Sequence, residues 1–407
     1  MKPVKRILFL TDNFPPEVNA PATRTYEHAR EWVGKGYEVT VITCAPNFPH
    51  GKVYEGFKNK LISREEKDGI RVLRVWTYIT ANEGFLKRIL DYVSFAIMAF
   101  IVGLWIRTDI LVATSPQFFT AVAGRWLSFF KFRPWIMEVR DLWPESIAAV
   151  GAMNEGKIYA FLEWVELRLY KSAKRIIVVT DTFKRKISTR GIDASKIVTH
   201  KNGVIIDRFN PRPKDKELME ANPQFKEKKV FAYIGTHGMA HGLSFILNSL
   251  PKLQESLPQA HFLFIGEGAE KENLLNQAKE LKLDNVTFMS FVPKHEVVRY
   301  LSLMDFALVN LKKSDTFKTV IPSKIFEAAA LQKPILLGLE GETKRIIESF
   351  NAGICFEPEN EEEFLAQCHT ILDEQSYKEY QKGCQNLAVN FDRKKIALQV
   401  LNTITSE

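Results

Sequence analysis

Lys229-Val230-Phe231-Ala232-Tyr233-Ile234 runs straight into Gly235-Thr236-His237-Gly238-Met239-Ala240-His241-Gly242. A short, mostly apolar run closed by a turn with three glycines reads as a buried strand entering a helix where the backbone lies bare. Such a turn lets a ligand approach the main chain and meet the free N–H groups of the helix that follows. The same rhythm repeats outward from it. Toward the C terminus, strands are expected at 261–265, 286–289, 306–311, 334–337 and 354–356, with a helical pattern from about 361 to the end. Toward the N terminus they are expected at 6–11, 37–43, 70–76, 109–114, 135–139, 175–180 and 196–200. Short runs rich in Val and Ile between longer amphipathic stretches are the pattern of parallel strands linked by helices. The rhythm stops over 204–229, where Asn210-Pro211-Arg212-Pro213-Lys214-Asp215-Lys216 reads as an exposed connector. The expected fold class is therefore α/β, with two doubly wound Rossmann-like domains at 1–204 and 205–390. A C-terminal helix at 391–407 is expected to pack back on the first domain. Open sheets of this kind bind ligands beyond the carboxyl ends of their strands.

Composition limits the partners. The chain has 407 residues, of which 46% are apolar and 26% charged, enough apolar material for a large core and too much for a disordered chain. The net charge of +8 is uneven: residues 1–200 carry 30 Lys and Arg against 20 Asp and Glu, and the remainder 26 against 28. A basic half suggests an anionic partner such as a membrane surface, a phosphorylated lipid or nucleic acid. Cys44, Cys355, Cys368 and Cys384 are widely spaced and form no C-x-x-C, which reads as reduced and cytoplasmic; nothing at the start of the chain resembles a signal sequence. The longest apolar run, 93–106, is shorter than the roughly 20 residues needed to span a bilayer. It reads either as a core helix or, with the aromatic and basic residues of 118–135, as an interfacial one. The interfacial reading places the protein peripherally on an anionic membrane surface, at the inner face of the plasma membrane.

Several chemistries are disfavoured by missing motifs. The first strand leads into 11–24 without a G-x-G-x-x-G, no G-x-x-x-x-G-K-[ST] occurs, and no D-x-D offers to hold a metal against a diphosphate. No helix-turn-helix, zinc-finger or ribonucleoprotein pattern supports nucleic-acid binding. Gly235, His237 and Gly238 read either as an anion site or as a plain strand-to-helix turn with His237 and His241 as turn residues, and Pro322-Ser323-Lys324-Ile325-Phe326-Glu327 reads as a helix start capped by Pro and Ser. Lys324 and Glu327, three apart, share a helix face. The ammonium can neutralise a diphosphate while the carboxylate accepts hydrogen bonds from ribose hydroxyls, or the two can form a plain surface ion pair.

These residues resemble a known family. Phe14-Pro15-Pro16-Glu17 with Arg24, Gly36 to Thr43, Thr114-Ser115-Pro116, Arg140-Asp141-Leu142-Trp143-Pro144-Glu145-Ser146, Asn202-Gly203-Val204, Ile265-Gly266-Glu267-Gly268, Phe291-Val292-Pro293 and Pro322 to Glu327 look like retaining glycosyltransferases of family four. The resemblance covers nearly the whole chain in order. It is closest to the bacterial O-antigen, capsule and colanic-acid branch, which includes fucosamine transferases. It implies a GT-B fold whose N-terminal domain takes the acceptor and whose C-terminal domain takes a nucleotide-sugar, the two facing each other across a cleft. By that similarity Glu327 holds the ribose, Lys324 meets the diphosphate with Ser323 beside it, and Gly266, Gly268 and the backbone of Phe291 and Val292 frame the base. The position that touches the donor sugar in relatives is Thr319, where the family has a glutamate, and the usual Arg and Lys after the first C-domain strand are missing, leaving His237 as a helper. The paired glycines of the first N-domain loop are here Asn19-Ala20.

For catalysis the resemblance singles out Arg140 and Asp141, where many relatives place a His near the reacting sugar. Asp141 either orients the acceptor or stabilises charge at the anomeric carbon, or caps the segment that begins at Trp143-Pro144. Glu17 is either acceptor-binding or a loop carboxylate. The function expected is transfer of a sugar, an N-acetylated deoxyhexose by branch resemblance, from a UDP-sugar to a polyprenyl-diphosphate-linked saccharide in surface polysaccharide synthesis. No cofactor and no metal are expected. A sugar-nucleotide epimerase or hydrolase of the same fold is the alternative enzyme, and a basic nucleic-acid-binding protein the alternative without catalysis.

Overall fold

Two sheets organise the chain, and the computed structural model describes residues 5–48, 50–80, 85–115, 118–145, 156–290, 292 and 296–406. The first unit comprises Met1–Lys201 and Arg393–Glu407, the second Asn202–Asp392. The first sheet contains β1 (Arg6–Leu10), β2 (Glu38–Cys44), β3 (Ile62–Lys67), β4 (Ile70–Val75), β5 (Ile110–Thr114), β6 (Trp135–Val139), β7 (Arg175–Val178) and β8 (Ile197–Thr199), in the order β3-β4-β2-β1-β5-β6-β7-β8. Its strands pair in parallel except β3, which runs antiparallel to β4. The sequence expectation omitted β3 because Ile-Ser-Arg-Glu-Glu-Lys has no buried side and lies on an exposed edge. Its signal was the pair Asp68-Gly69, both at positive φ (51° and 75°), the two-residue turn that matches hairpin twist.

The strand order reverses direction at β1. The crossovers from β4 through β8 put the helices Phe85–Leu104, Phe118–Lys131, Lys157–Ser172 and Asp181–Thr189 on one face, over a core that includes Leu8, Ile42, Leu111, Met137 and Val178, as the right-handed rule for parallel strands leads one to expect. The β1-to-β2 helix, Ala20–Gly34, takes the other face. There the last helix, Arg393–Thr405, returns to it: the Trp32 indole N–H donates to the Ala397 carbonyl at 2.8 Å, Arg393 pairs with Glu27, and His200 meets the Thr403 hydroxyl at 2.9 Å.

The second sheet is wholly parallel, with β9 (Lys229–Ile234), β10 (Ala260–Ile265), β11 (Val286–Met289), β12 (Phe306–Asn310), β13 (Ile335–Gly338) and β14 (Gly353–Phe356) in the order β11-β10-β9-β12-β13-β14. Phe231, Phe262 and Phe306 stack across three neighbouring strands, with centroids 4.7 and 5.1 Å apart. The expected connector is exposed at Asn210, Pro211, Arg212, Pro213 and Lys216, but its Lys214 and Asp215 are tied into this unit. Lys214 pairs with Asp305 at 2.6 Å, Asp215 with Arg299 at 2.7 Å, and Asp215 caps the helix Lys216–Ala221. These two charges, which look solvated in the sequence, are satisfied by partners far along the chain.

Because the last helix supplies the only described acceptor of the Trp32 N–H, Trp32→Phe should lower the stability of the first unit by about 1 kcal/mol. A urea titration followed by circular dichroism measures it.

Candidate functional site

Each unit concentrates its chemistry at strand carboxyl ends. In the second, β9 and β10 end in glycines at positive φ: Gly235 (147°), Gly266 (145°) and Gly268 (159°). A Cβ on Gly266 would collide with the Gly235 carbonyl oxygen, and one on Gly268 with the carbonyl of His237. One on Gly235 would lie 2.6 Å from both Cε and Nζ of Lys324. The bare backbone therefore makes room for a lysine side chain to lie along it. Lys324 opens the helix Lys324–Ala330 and sets its ammonium 3.7 Å from the centroid of the Tyr233 ring. Burial pulls its pKa down to about 7, against the attraction of Glu327 one turn deeper. Tyr233 itself is fully buried and donates its hydroxyl to the Thr236 carbonyl at 2.7 Å.

The second nearby cation is a brace. Lys271 Nζ donates to the carbonyls of Gly266 (2.6 Å) and Met289 (2.8 Å) and to Glu267 (3.0 Å), fixing the glycine loop. Ser323 occupies the N-cap position but has helical φ and ψ and makes no capping bond through its side chain, so its exposed hydroxyl is not spent on the helix. Thr319 turns its hydroxyl to the Thr316 carbonyl at 2.9 Å. Gly238 precedes a short 3-10 turn, Met239–His241, and Val292 is buried in the core of the unit; Phe291 lies outside the described residues.

His237 differs from the helper that the sequence suggests. Its ring has no exposed surface, lies among Tyr233, Phe264 and Phe288, and finds no hydrogen-bond partner for either nitrogen among the described residues. Burial, reinforced by Lys271, lowers its pKa to about 4, so the ring is neutral at pH 7. His241 is only half-buried and contacts the same Tyr233 ring at 5.7 Å. Asn310, at the end of β12, holds that turn by donating to the His241 carbonyl at 2.8 Å. Tyr233 and Asn310 carry no sequence motif, and only their positions at strand ends mark them.

In the first unit, a cavity of about 410 Å³ opens at the ends of β1, β2 and β6. Asp12, Glu17, Asp91 and Asp141 line it, with Asn13, Asn19, Asn47 and Tyr92 as further polar groups and Phe48, Phe95 and Trp143 as apolar walls. Glu17 accepts from the backbone N–H groups of Asn47 (2.8 Å) and Phe48 (2.9 Å) through Oε1, while its buried Oε2 has no partner among the described residues. It serves as a loop clamp with one oxygen and leaves the other over. Burial, with Glu17 and Asp91 as nearby like charges, raises the Asp12 pKa to about 6 although Asn13 hydrogen-bonds it. Asn19, standing where the resemblance expects glycine, caps the helix Ala20–Gly34 by accepting from Ala22 N–H at 2.9 Å. Asp12 and Asp91 were missed by the sequence reading; the signal for Asp91 was a single carboxylate within the apolar helix Phe85–Leu104.

Arg140 and Asp141 part company. Asp141 is exposed and lines the cavity, whereas Arg140 turns to Glu138 at 3.7 Å. The buried Glu138 also pairs with Arg24. Burial opposes its charge, yet Arg24, Arg140 and His28 bring its pKa down to about 2. Burial and the nearby Arg24 lower Arg140 to about 9. Among the described residues no group of His, Cys, Asp and Glu is placed to hold a metal ion.

With these sites described, comparison with known proteins identifies the family. Residues 19–203 match the model of the glycosyl transferase 4-like domain, and residues 214–387 match that of the glycosyl transferases group 1. The chain belongs to the GT-B glycosyltransferases. WbjE of Pseudomonas aeruginosa, named as a glycosyltransferase, is 28% identical over 222 residues, covering 54% of this chain and 55% of its own length. The match thus spans about half of that relative. The sucrose-phosphate synthase of Thermosynechococcus elongatus shares the fold with a TM-score of 0.75 and 14% identity, covering 98% of both chains. HepE of Anabaena, solved with UDP and glucose, gives 0.71 and 18%, covering 99% of this glycosyltransferase and 100% of HepE.

In this glycosyltransferase the contact between Gly235 and Gly266 leaves no room for a methyl group at a positive φ. Gly266→Ala should destabilise the second unit by about 2 kcal/mol or more, against near-neutrality or a slight gain for an exposed control at a helix end, Gly34→Ala. Denaturant midpoints of the two variants make the comparison.

Proposed function

We propose that the chain is a retaining, metal-independent glycosyltransferase that moves a sugar from a UDP-sugar to a lipid-linked saccharide at the cytoplasmic face of a bacterial membrane, in surface polysaccharide synthesis. The observation that carries the donor half of this reading is the Lys324 ammonium. It is desolvated on Tyr233, beside three glycines that bare the backbone, and no carboxylate among the described residues closes on it as an ion pair. A diphosphate placed there would gain a charge-assisted hydrogen bond and the strand-end N–H groups, and Glu327 would lie one turn further for the ribose. The complex of HepE with UDP and glucose supports a uridine donor.

The acceptor half rests on the cavity of the first unit. Carboxylates and amides beside aromatic walls suit a saccharide, whose hydroxyls donate to the acids while its C–H faces lie on the rings. Asp141 and Glu17 are the residues proposed to hold the acceptor hydroxyl. Arg140, engaged with Glu138, is proposed to position Asp141 from behind. Catalysis would come from holding the two substrates and from stabilising the charge that develops on the leaving diphosphate, with no protein nucleophile. An N-acetylated deoxyhexose is the proposed donor sugar, by branch resemblance.

Calorimetry against UDP, GDP, dTDP and ADP tests the donor half. UDP should bind best, and Lys324→Ala should weaken it by about 10- to 100-fold. The free ammonium titrates near 7 and bound diphosphate would raise that value, so binding takes up a proton above pH 7. UDP affinity should therefore fall by up to about tenfold per pH unit above 7 in the wild type and stay flat in the variant. Unchanged affinity in Lys324→Ala removes the residue from the site. Release of free sugar without transfer to acceptor would turn the reading toward a hydrolase.

A further inference from the structure

The outer surface of the helical layer in the first unit is apolar where a soluble face would be polar. On the helix Phe85–Leu104, Leu90, Ile97 and Ile101 point outward along one stripe, while Phe95, Ala99 and Val102 face the sheet. The stripe continues onto the neighbouring helix Phe118–Lys131, where Trp126, Phe129 and Phe130 are exposed and their rings lie 5.5 to 6.2 Å apart. The Phe100 ring meets Phe130 at 5.7 Å, so the two helices share one aromatic surface. A third stripe, absent from the sequence reading, comes from Ile158, Phe161 and Trp164 on the helix Lys157–Ser172, next in the same layer.

The ends of the first two helices extend this surface. Trp105 is 84% exposed and Phe132 89%. Lys131 ties the two ends together by donating to the Leu104 carbonyl at 2.8 Å. Phe132 holds its ring outward from a backbone at φ 51°, a region costly for a bulky residue.

The charges select the occupant. Residues 85–107, 118–133 and 157–172 carry nine Lys and Arg against three carboxylates. Asp91 faces the cavity, and Glu163 and Glu166 are both held by Arg190. A partner protein matched to this face would bring acidic side chains around an apolar centre. A bilayer brings anionic headgroups at the depth where tryptophans settle and acyl chains beneath, which fits aromatics flanked by cations. No described helix is long and apolar enough to cross a membrane, so the contact is with the surface.

We infer that these three helices form a monotopic docking face for an anionic lipid bilayer. The helix Phe85–Leu104 serves it twice: one side joins the face, and Arg88, Asp91, Tyr92 and Phe95 line the cavity. A molecule anchored in the lipid would thus reach the cavity along one helix. The docking stands apart from the sugar-transfer reading, and only this last link rests on it.

Flotation of the full-length protein with phosphatidylcholine vesicles, with and without phosphatidylglycerol, tests the inference. The wild type should float with the anionic vesicles and be released by salt. Trp126→Ser combined with Phe129→Ser should lower the bound fraction about tenfold or more. Arg125→Glu combined with Arg133→Glu should abolish the preference for phosphatidylglycerol, and serves if the serine variant misfolds. Thermal melting and UDP binding, both independent of vesicles, should be unchanged in the variants, which separates failure of docking from failure of the transferase reading. A wild type that stays with the lipid-free fraction, or serine variants that float as well as it does, overturns the proposal. So does a wild-type dimer by light scattering that the serine variants dissociate, since the face would then be an interface between copies.

Discussion

Backbone meets backbone where β9 and β10 end, and the C-terminal unit is arranged around that contact. A side chain on Gly266 would strike the Gly235 carbonyl, and one on Gly268 would strike that of His237. Side-chain-free ends leave a shelf of main chain, and two lysines use it differently. Lys271 spends its three protons on the carbonyls of Gly266 and Met289 and on Glu267, which locks the shelf in place. Lys324 lies along the same shelf with its charge on an aromatic ring. One cation gives rigidity, and the other is held in a state that costs desolvation without full compensation.

The two units are prepared for opposite chemistries. In the second, burial destabilises a positive charge, and an anionic ligand would relieve it. In the first, burial destabilises negative charges: Asp12 and Glu17 both titrate above their ordinary range, and Glu17 keeps an oxygen without a partner. Deeper in the same unit, Arg24 and Arg140 hold Glu138 in its charged form, although its Oε2 and the Arg24 Nε are buried without a hydrogen-bond partner among the described residues. The two carboxylates therefore differ in sign of shift: Glu17 on the cavity wall is destabilised by burial, whereas Glu138 behind it is kept ionised by two guanidinium groups.

Much of the fold was legible because parallel strands buried on both faces leave continuous apolar runs, and those runs fix the order of elements. What could not be read was polar structure satisfied at a distance. Ile62–Lys67 has the composition of a loop and is a strand because an edge needs no buried side. Lys214 and Asp215 look solvated until Asp305 and Arg299, far along the chain, close on them. At the candidate site, Lys324 was legible from its spacing to Glu327 and from the resemblance. Tyr233 beneath it was not, since a tyrosine in a strand gives no sign of which face it takes or what rests on it. His237 looked available because it stands in a glycine-rich turn, yet the backbone there folds its ring inward among Phe264 and Phe288.

The return of the last helix to the first sheet sets an order of events at synthesis. Trp32 and Glu27 are made before the whole of the second unit, and their partners at Ala397 and Arg393 only after it. The second unit, continuous from Asn202 to Asp392, has all its strands and its closing helices before then. The first unit, split in the sequence around the second, is therefore completed after it.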